Sequence, residues 1–222
     1  MTLKYIFDLD HCLYQDASDK AERYAIAAAK AAIEMGAPLE FEAARLMAAG
    51  SFRAHRSELV VFERDFGLDH RQFVKRYHHH ALAEFTGTFT SVPRVRDAFN
   101  VIAAADKLVL THSTSEWAGA VLAELGMMEN MHESHILYQD HPLVDFRSKS
   151  RSEDLFEDVF DFLECSASDV VMFDDLDSNL AIPYRKGATT VLVHWGKAAS
   201  PAPAHVTRQV VDIAEYFALQ PM

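Results

Sequence analysis

Apolar and polar positions change rhythm twice along the chain, and the changes divide it into parts. Residues 3–7, Leu-Lys-Tyr-Ile-Phe, form a short apolar run that stops abruptly at Asp8. A run of that length with a hard polar end predicts a buried strand. From about Ser18 to Phe85 the texture is helical, with no strand signal. Ala25 to Ala32 is alanine-rich, and its helix is predicted to stop at Gly36, with Pro38 just beyond. Phe73, Tyr77, Ala81 and Phe85 recur every four residues, the apolar stripe of one amphipathic helix.

After Pro93 helix and strand alternate. A helix over roughly 93–105 leads to the apolar run Leu108-Val109-Leu110. Ser113 and Glu116 have capping-box spacing, which predicts a helix opening there and ending at Gly126. Ile136-Leu137-Tyr138 reads as a short strand and Leu155 to Leu163 as a helix. Val170 to Phe173 reads as a buried strand running into Asp174-Asp175; a helix follows, then a strand from Thr189 to Val193. Short apolar runs alternating with helices predict a parallel sheet covered on both faces. The expected fold class is therefore α/β. A Rossmann-like parallel-sheet core comprises residues 1–15 and 90–222, and an all-helical cap, residues 16–89, is inserted between them.

Composition narrows the function classes. Half of the 222 residues are hydrophobic and 24% are charged, the balance of a globular protein. No stretch approaches the ~20 apolar residues of a membrane span. The apolar run before Asp8 is too short, and wrongly flanked, for a signal peptide. The expectation is thus a cytoplasmic protein with no membrane partner. Thirty-three acidic against 21 basic residues give a net charge of −12, which argues against a nucleic acid polymer as partner. A small phosphorylated substrate is compatible with that charge, because one metal ion and a few local cations reverse the field inside a pocket. Oligomeric state is not set by these features. Cys12 and Cys165 lack disulfide or metal-pair spacing and read as small buried residues.

In open parallel sheets, ligands bind beyond the carboxyl ends of the strands. Three clusters stand at such ends here: Asp8-x-Asp10, Thr111-His112 and Asp174-Asp175. Asp8 and Asp10, two apart on extended chain, project to one side, and their mutual repulsion calls for a cation. Asp174-Asp175 adds hard oxygen donors suited to magnesium. Thr111 offers a hydroxyl, the following helix start offers backbone N–H groups to phosphate, and Lys149 offers positive charge.

Phe7-Asp8-Leu9-Asp10-His11-Cys12-Leu13-Tyr14 resembles the D-x-D-x-[TV]-L opening motif of haloacid dehalogenase-like (HAD) hydrolases. Thr111 is similar to the second motif, Lys149 to the third, and Phe173-Asp174-Asp175 with Asn179 to the acidic fourth. Order and spacing agree across nearly the whole chain. The resemblance implies an Asp8 nucleophile, attacking phosphorus to give an aspartyl-phosphate, and an Asp10 general acid/base. It implies Mg2+ held by Asp8, the Asp10 carbonyl and Asp175, with Asp174 supporting the metal site through water or Lys149. Thr111, the N–H of His112 and Lys149 would stabilise the phosphoryl oxygens. Asp10 also favours a phosphatase over a dehalogenase, which displaces halide and lacks that acid. A phosphomutase keeps both aspartates and remains an alternative, as does a ligand-binding or scaffold protein on the same fold. The opening motif and the helical insertion look most like the pyrimidine 5′-nucleotidase-like branch, implying a nucleoside monophosphate or similar small phosphomonoester.

The chain departs from the family pattern at Cys12 for Thr or Val, His112 for Asn, Ser150 for Pro and Asn179 for Asp. Other candidates have plainer readings. His78-His79-His80 point in different directions on a helix, so a solvated or packed helix outweighs a metal site. His132, His135 and His141 lack an acidic or cysteine partner and read as loop histidines. Phe52, Arg53, Arg56, Phe62 and Phe66 read as a helical core with exposed arginines, although Arg53 or Arg56 could grip an anionic part of a substrate. His11 either touches substrate or fills space.

Overall fold

The computed structural model describes residues 2–15, 19–55, 57–198 and 201–219. The chain separates into two compact units, residues 1–15 with 90–222 and residues 16–89.

The first unit is built on strands β1 (Lys4–Phe7), β2 (Lys107–Leu110), β3 (Ile136–Leu137), β4 (Val170–Asp174), β5 (Thr189–Val193) and β6 (Arg208–Val210). They form one parallel sheet in the order β3-β2-β1-β4-β5-β6. Its helices are α5 (Pro93–Val101), α6 (Ser115–Glu124), α7 (Glu153–Phe162), α8 (Asp177–Lys186) and α9 (Ile213–Ala218). The chain runs outward from β1 to β2 and β3, then returns to add β4 on the other side of β1. The order therefore reverses at β1, where such sheets open a crevice at their carboxyl ends.

Alternation along the strands sends successive side chains to opposite faces. Phe7 and Phe173 stack at 4.9 Å on one face, where Phe99 of α5 and Tyr216 of α9 meet them edge-on at 5.2 and 5.0 Å. Ile6, Leu108 and Met172 belong to a second buried cluster with Phe156 and Val159 of α7 and Leu180 of α8. Both faces are dry, which is why these strands read as unbroken apolar runs.

The second unit holds α1 (Lys20–Glu34), α2 (Phe41–His55), α3 (Val60–Phe66) and α4 (His70–Phe85), with no strand among its described residues. The alanines predicted to be helical lie on the buried face of α1, and Gly36 beyond its end takes φ +93°, a backbone state that glycine adopts without a Cβ clash. Phe73, Tyr77, Ala81 and Phe85 are all buried on α4, as their spacing predicts.

Several expectations need correction. Helix α5 ends at Val101, and a short 3-10 turn, Ala104–Asp106, precedes β2. The predicted capping box does not form. Helix α6 starts at Ser115, whose N–H is accepted by Asp140 Oδ1 at 3.0 Å, and Ser113 Oγ turns to Asp10. Strand β6 and helix α9 are additions to the sequence reading. Cys12 is buried, whereas Cys165 is only half-buried. Among the described residues no helix is long and apolar enough to cross a membrane.

Candidate active site

Asp8 follows directly on β1, and its N–H donates to the Phe173 carbonyl at 2.9 Å. Since Phe7 pairs with Phe173 in register, the next residues, Asp8 and Asp174, stand side by side at the strand ends. Lys149, wholly buried, comes from the loop between β3 and α7. Its Nζ donates to Asp8 Oδ1 at 2.5 Å, to Asp174 Oδ2 at 2.7 Å and to the Leu110 carbonyl at 3.3 Å. Ser150 thus follows a lysine seated between two carboxylates.

Asp174 has its oxygens well occupied. Oδ1 accepts from the Leu176 N–H at 2.9 Å and Asn179 Nδ2 at 3.0 Å, and Oδ2 also accepts from Asn179 at 3.2 Å. Asn179, where the resemblance has Asp, is a donor that orients Asp174. Asp8, Asp174 and Asp175 each bring a carboxylate oxygen within 4.8 Å of the others. Three carboxylates against the one ammonium of Lys149 leave two negative charges if all ionise.

That imbalance is visible in the acidities. Burial pushes Asp8 well above the carboxylate range, Lys149 pulls it back, and Asp174, Asp175 and Asp10 raise it further. Burial, then the charge of Asp174, raises Asp175 to about 7, opposed by His11 and Lys149. For Lys149 burial favours the neutral amine, but Asp174 and Asp8 outweigh it and hold the lysine charged, its pKa above the ordinary value. An all-oxygen donor set that carries excess negative charge suits a hard divalent cation.

Asp10 lies in different surroundings. Its Oδ1 accepts from Tyr14 OH at 2.5 Å and Trp117 Nε1 at 2.8 Å. Oδ2 accepts from Ser113 Oγ at 2.6 Å and, more distantly, from Thr111 Oγ1 at 3.4 Å. The Thr111 hydroxyl also accepts the Ser113 N–H at 3.0 Å. The sequence assigns none of Tyr14, Ser113 and Trp117 to the site, although Tyr14 stands in the opening motif and Ser113 in the expected capping box. Tyr14 and Trp117 have large apolar bodies, and only the fold brings their polar tips to a carboxylate.

His112 is half-buried, and its Nε2 accepts the backbone N–H of Lys149 at 3.0 Å. Burial and then the nearby Lys149 charge lower its pKa to about 3, so the imidazole is neutral. His11 takes a left-handed φ of +61°, and its carbonyl accepts Trp195 Nε1 at 2.6 Å. Its ring stacks 6.5 Å from that of Tyr14.

Among the described residues the remaining histidines form no metal-ligand group. His80 pairs with Glu34 at 2.7 Å, and His78 is buried in α4. The rings of His132 and His135 lie 5.5 Å apart, with His135 Nδ1 bonded to the Lys107 carbonyl. His141 Nδ1 accepts the Leu143 N–H. Arg53 is exposed in the last turn of α2, Phe62 is buried against Phe73, and Arg56 lies outside the described residues.

No protein-family model and no curated protein matches the chain. Solved structures do. A HAD hydrolase of family IA, variant 3, from Entamoeba histolytica aligns over 97% of this chain and 95% of its own, with TM-score 0.67 and 13% identity. YfnB of Bacillus subtilis, bound to magnesium, aligns over 100% and 99%, with TM-score 0.63 and 13% identity. A HAD family hydrolase from Deinococcus radiodurans R1, with bound phosphate and sodium, aligns over 98% and 94%, with TM-score 0.59 and 19% identity. Dehalogenases and a protein assigned as a β-phosphoglucomutase also match. The fold is therefore the HAD-like α/β fold, and at these identities the chemistry has to be argued from the residues.

Proposed function

We propose that this chain is a magnesium-dependent phosphatase that hydrolyses a small phosphomonoester through an aspartyl-phosphate on Asp8. The observation that carries the reading is Asp8 itself. It is a buried carboxylate at the end of the central strand, bonded to Lys149 and flanked by Asp174 and Asp175. Asp8 and Asp175, with the Asp10 carbonyl, would hold the magnesium ion, while Asp174 keeps Lys149 in place. Bound there, the ion supplies positive charge that draws in the phosphate dianion and stabilises charge on the phosphoryl oxygens.

The steps on the protein balance as two displacements. An Asp8 oxygen forms a bond to phosphorus as the ester P–O bond breaks, and Asp10 gives its proton to the departing oxygen. Water then attacks the aspartyl-phosphate, Asp10 takes the water proton, and the Asp8–phosphorus bond breaks to release inorganic phosphate. Lys149, with the Thr111 hydroxyl and the His112 N–H, offsets charge on the phosphoryl oxygens. A dehalogenase would need no acid at Asp10, and the four donors around that carboxylate support a working role for it. For the substrate we propose a nucleoside monophosphate, on the resemblance of the opening motif and helical insertion to the pyrimidine 5′-nucleotidase-like branch.

The test is phosphate release from a panel of phosphomonoesters, with and without magnesium, comparing wild type with Asp8→Asn. Hydrolysis by wild type should require the metal and fall on the order of 10⁴-fold or more in the variant, the scale of losing a nucleophile. Turnover that persists in Asp8→Asn, or after metal removal, would reject the mechanism. Conversion of a sugar phosphate to an isomer without phosphate release would favour the mutase.

A further inference from the structure

We infer that Tyr14, Trp117 and Ser113 are positioning residues that divide the work of the Asp10 carboxylate between its two oxygens. Oδ1 is the anchored oxygen, and Oδ2 is the one that passes the proton to the leaving group and receives it from water. This inference deepens the phosphatase reading and rests on it.

The division follows from the chemistry of the donors. The Trp117 indole N–H can only donate, and Tyr14 OH reaches the same oxygen, so Oδ1 is committed as an acceptor from two directions. Trp117 is buried on α6 and cannot swing aside to let water take its place. The partners of Oδ2 are hydroxyls, which rotate and can accept as well as donate. Ser113 has its backbone pinned on both sides, its N–H to Thr111 Oγ1 at 3.0 Å and its carbonyl to the Gln139 N–H at 2.8 Å. Its hydroxyl is thus a mobile group on a fixed base. A proton can sit on Oδ2 once that hydroxyl turns, whereas a proton on Oδ1 would face the indole hydrogen. Anchoring one oxygen also fixes the carboxylate's rotation, which aims the other. The spacing is economical: Tyr14 is four residues after Asp10, and Trp117 four after Ser113.

The experiment uses Tyr14→Phe, Trp117→Phe and Ser113→Ala in the full chain with magnesium, on two esters. One is p-nitrophenyl phosphate, whose phenolate leaves without needing a proton. The other is the alkyl phosphomonoester that wild type turns over best. Tyr14→Phe and Trp117→Phe should each lower kcat on the alkyl ester about 10²-fold, the cost of a reacting group about 1 Å out of place, with KM changed less than about threefold. The first turnover of p-nitrophenyl phosphate should keep its rate, and a burst of phenolate should follow, because Asp10 is then needed only for the water step. Ser113→Ala should lose about tenfold on the alkyl ester, and Ser113→Thr should restore it.

Equal losses in the first turnover of both esters, absence of the burst, or unchanged turnover in Tyr14→Phe and Trp117→Phe would overturn the inference. Tyr14→Phe removes a single oxygen, so the test survives if Trp117→Phe does not fold. If wild type releases no phosphate, or Asp8→Asn matches it, the phosphatase reading itself falls and this inference with it. An active wild type with indifferent variants overturns the positioning role alone.

Discussion

Asp8 and Asp10 are two residues apart on one chain segment, yet the protein treats their carboxylates in opposite ways. On the β4 side, Asp8 stands among charges: Lys149 between it and Asp174, with Asp175 adjacent. Burial and mutual repulsion push Asp8 and Asp175 upward, so this side is left short of positive charge. On the β2 side, Asp10 is met by neutral donors from Tyr14, Trp117, Ser113 and Thr111. Under the proposed function one side is completed from outside by a cation and a substrate dianion, whereas the other is completed by the protein. Substitutions on the first should therefore couple to charge, pH and metal, and on the second to geometry.

The largest effect expected on the charged side comes from Lys149→Met. The lysine is buried between two buried carboxylates, and removing one partner of a buried pair costs about 3–5 kcal/mol, because the other is left uncompensated. Denaturant unfolding should show a loss of that order. Turnover by the folded fraction should fall about 10²–10³-fold, the scale of losing one preorganised stabiliser of developing charge. Tyr14→Phe on the donor side should cost less, about 1.5–3 kcal/mol, the worth of one hydrogen bond to a charged group. If both variants destabilise equally, the contrast between the two sides is wrong.

That contrast was only half legible in the sequence. Apolar runs stopping at Asp8, Thr111 and Asp174 mark strand ends, and parallel strands bring their ends together whatever lies between. The charged side could be read for that reason, because carboxylates at strand ends have few other uses. The donor side could not. Ser113 and Glu116 have a local spacing that satisfies a capping rule, but the helix opens later, at Ser115, and the serine hydroxyl donates to the Asp10 carboxylate. Tyr14 and Trp117 have large apolar bodies, and a polar tip finds its partner only through tertiary packing. Strand β6, Arg208–Val210, escaped because an edge strand with polar residues breaks the apolar-run signal, and six-residue α9 is too short to show a period.

A smaller effect separates the sides by pH. Asp175 titrates at about 7 in the folded protein, against 3.8 for a free side chain. Between those values the folded chain keeps a proton that the unfolded chain has released. Without metal, the cost of folding at this position is absent below about pH 4, grows as pH rises and is complete above about pH 7. The melting temperature of wild type, measured against Asp175→Asn, should fall across that window. Magnesium at pH 7.5 should reverse the loss in wild type, by about 1.4 kcal/mol for each tenfold excess over Kd, and act weakly in the variant. A wild-type difference that is flat with pH and indifferent to magnesium would remove Asp175 from the metal set.

The smallest expected effect lies where the two sides meet. His112 follows Thr111 on the β2 side, but its Nε2 accepts the N–H of Lys149, whose ammonium serves the β4 side. With a pKa of about 3 it stays neutral throughout the working range, so it should add no limb to a pH–rate profile between about 5 and 8. His112→Phe keeps a flat ring and deletes the acceptor. It should cost about 1 kcal/mol of stability and about tenfold in turnover, through a looser Lys149 rather than a lost charge. A double-mutant cycle decides whether that route is right. Added to Lys149→Met, His112→Phe should cost little further turnover, because there is no ammonium left to place, although the backbone N–H of residue 149 still loses its acceptor. Added to Tyr14→Phe, its cost should be additive, because the tyrosine acts on the other carboxylate. Coupling to Tyr14 in place of Lys149 would mean that the two sides are a single network, and the distinction between Asp8 and Asp10 would have to be redrawn around it.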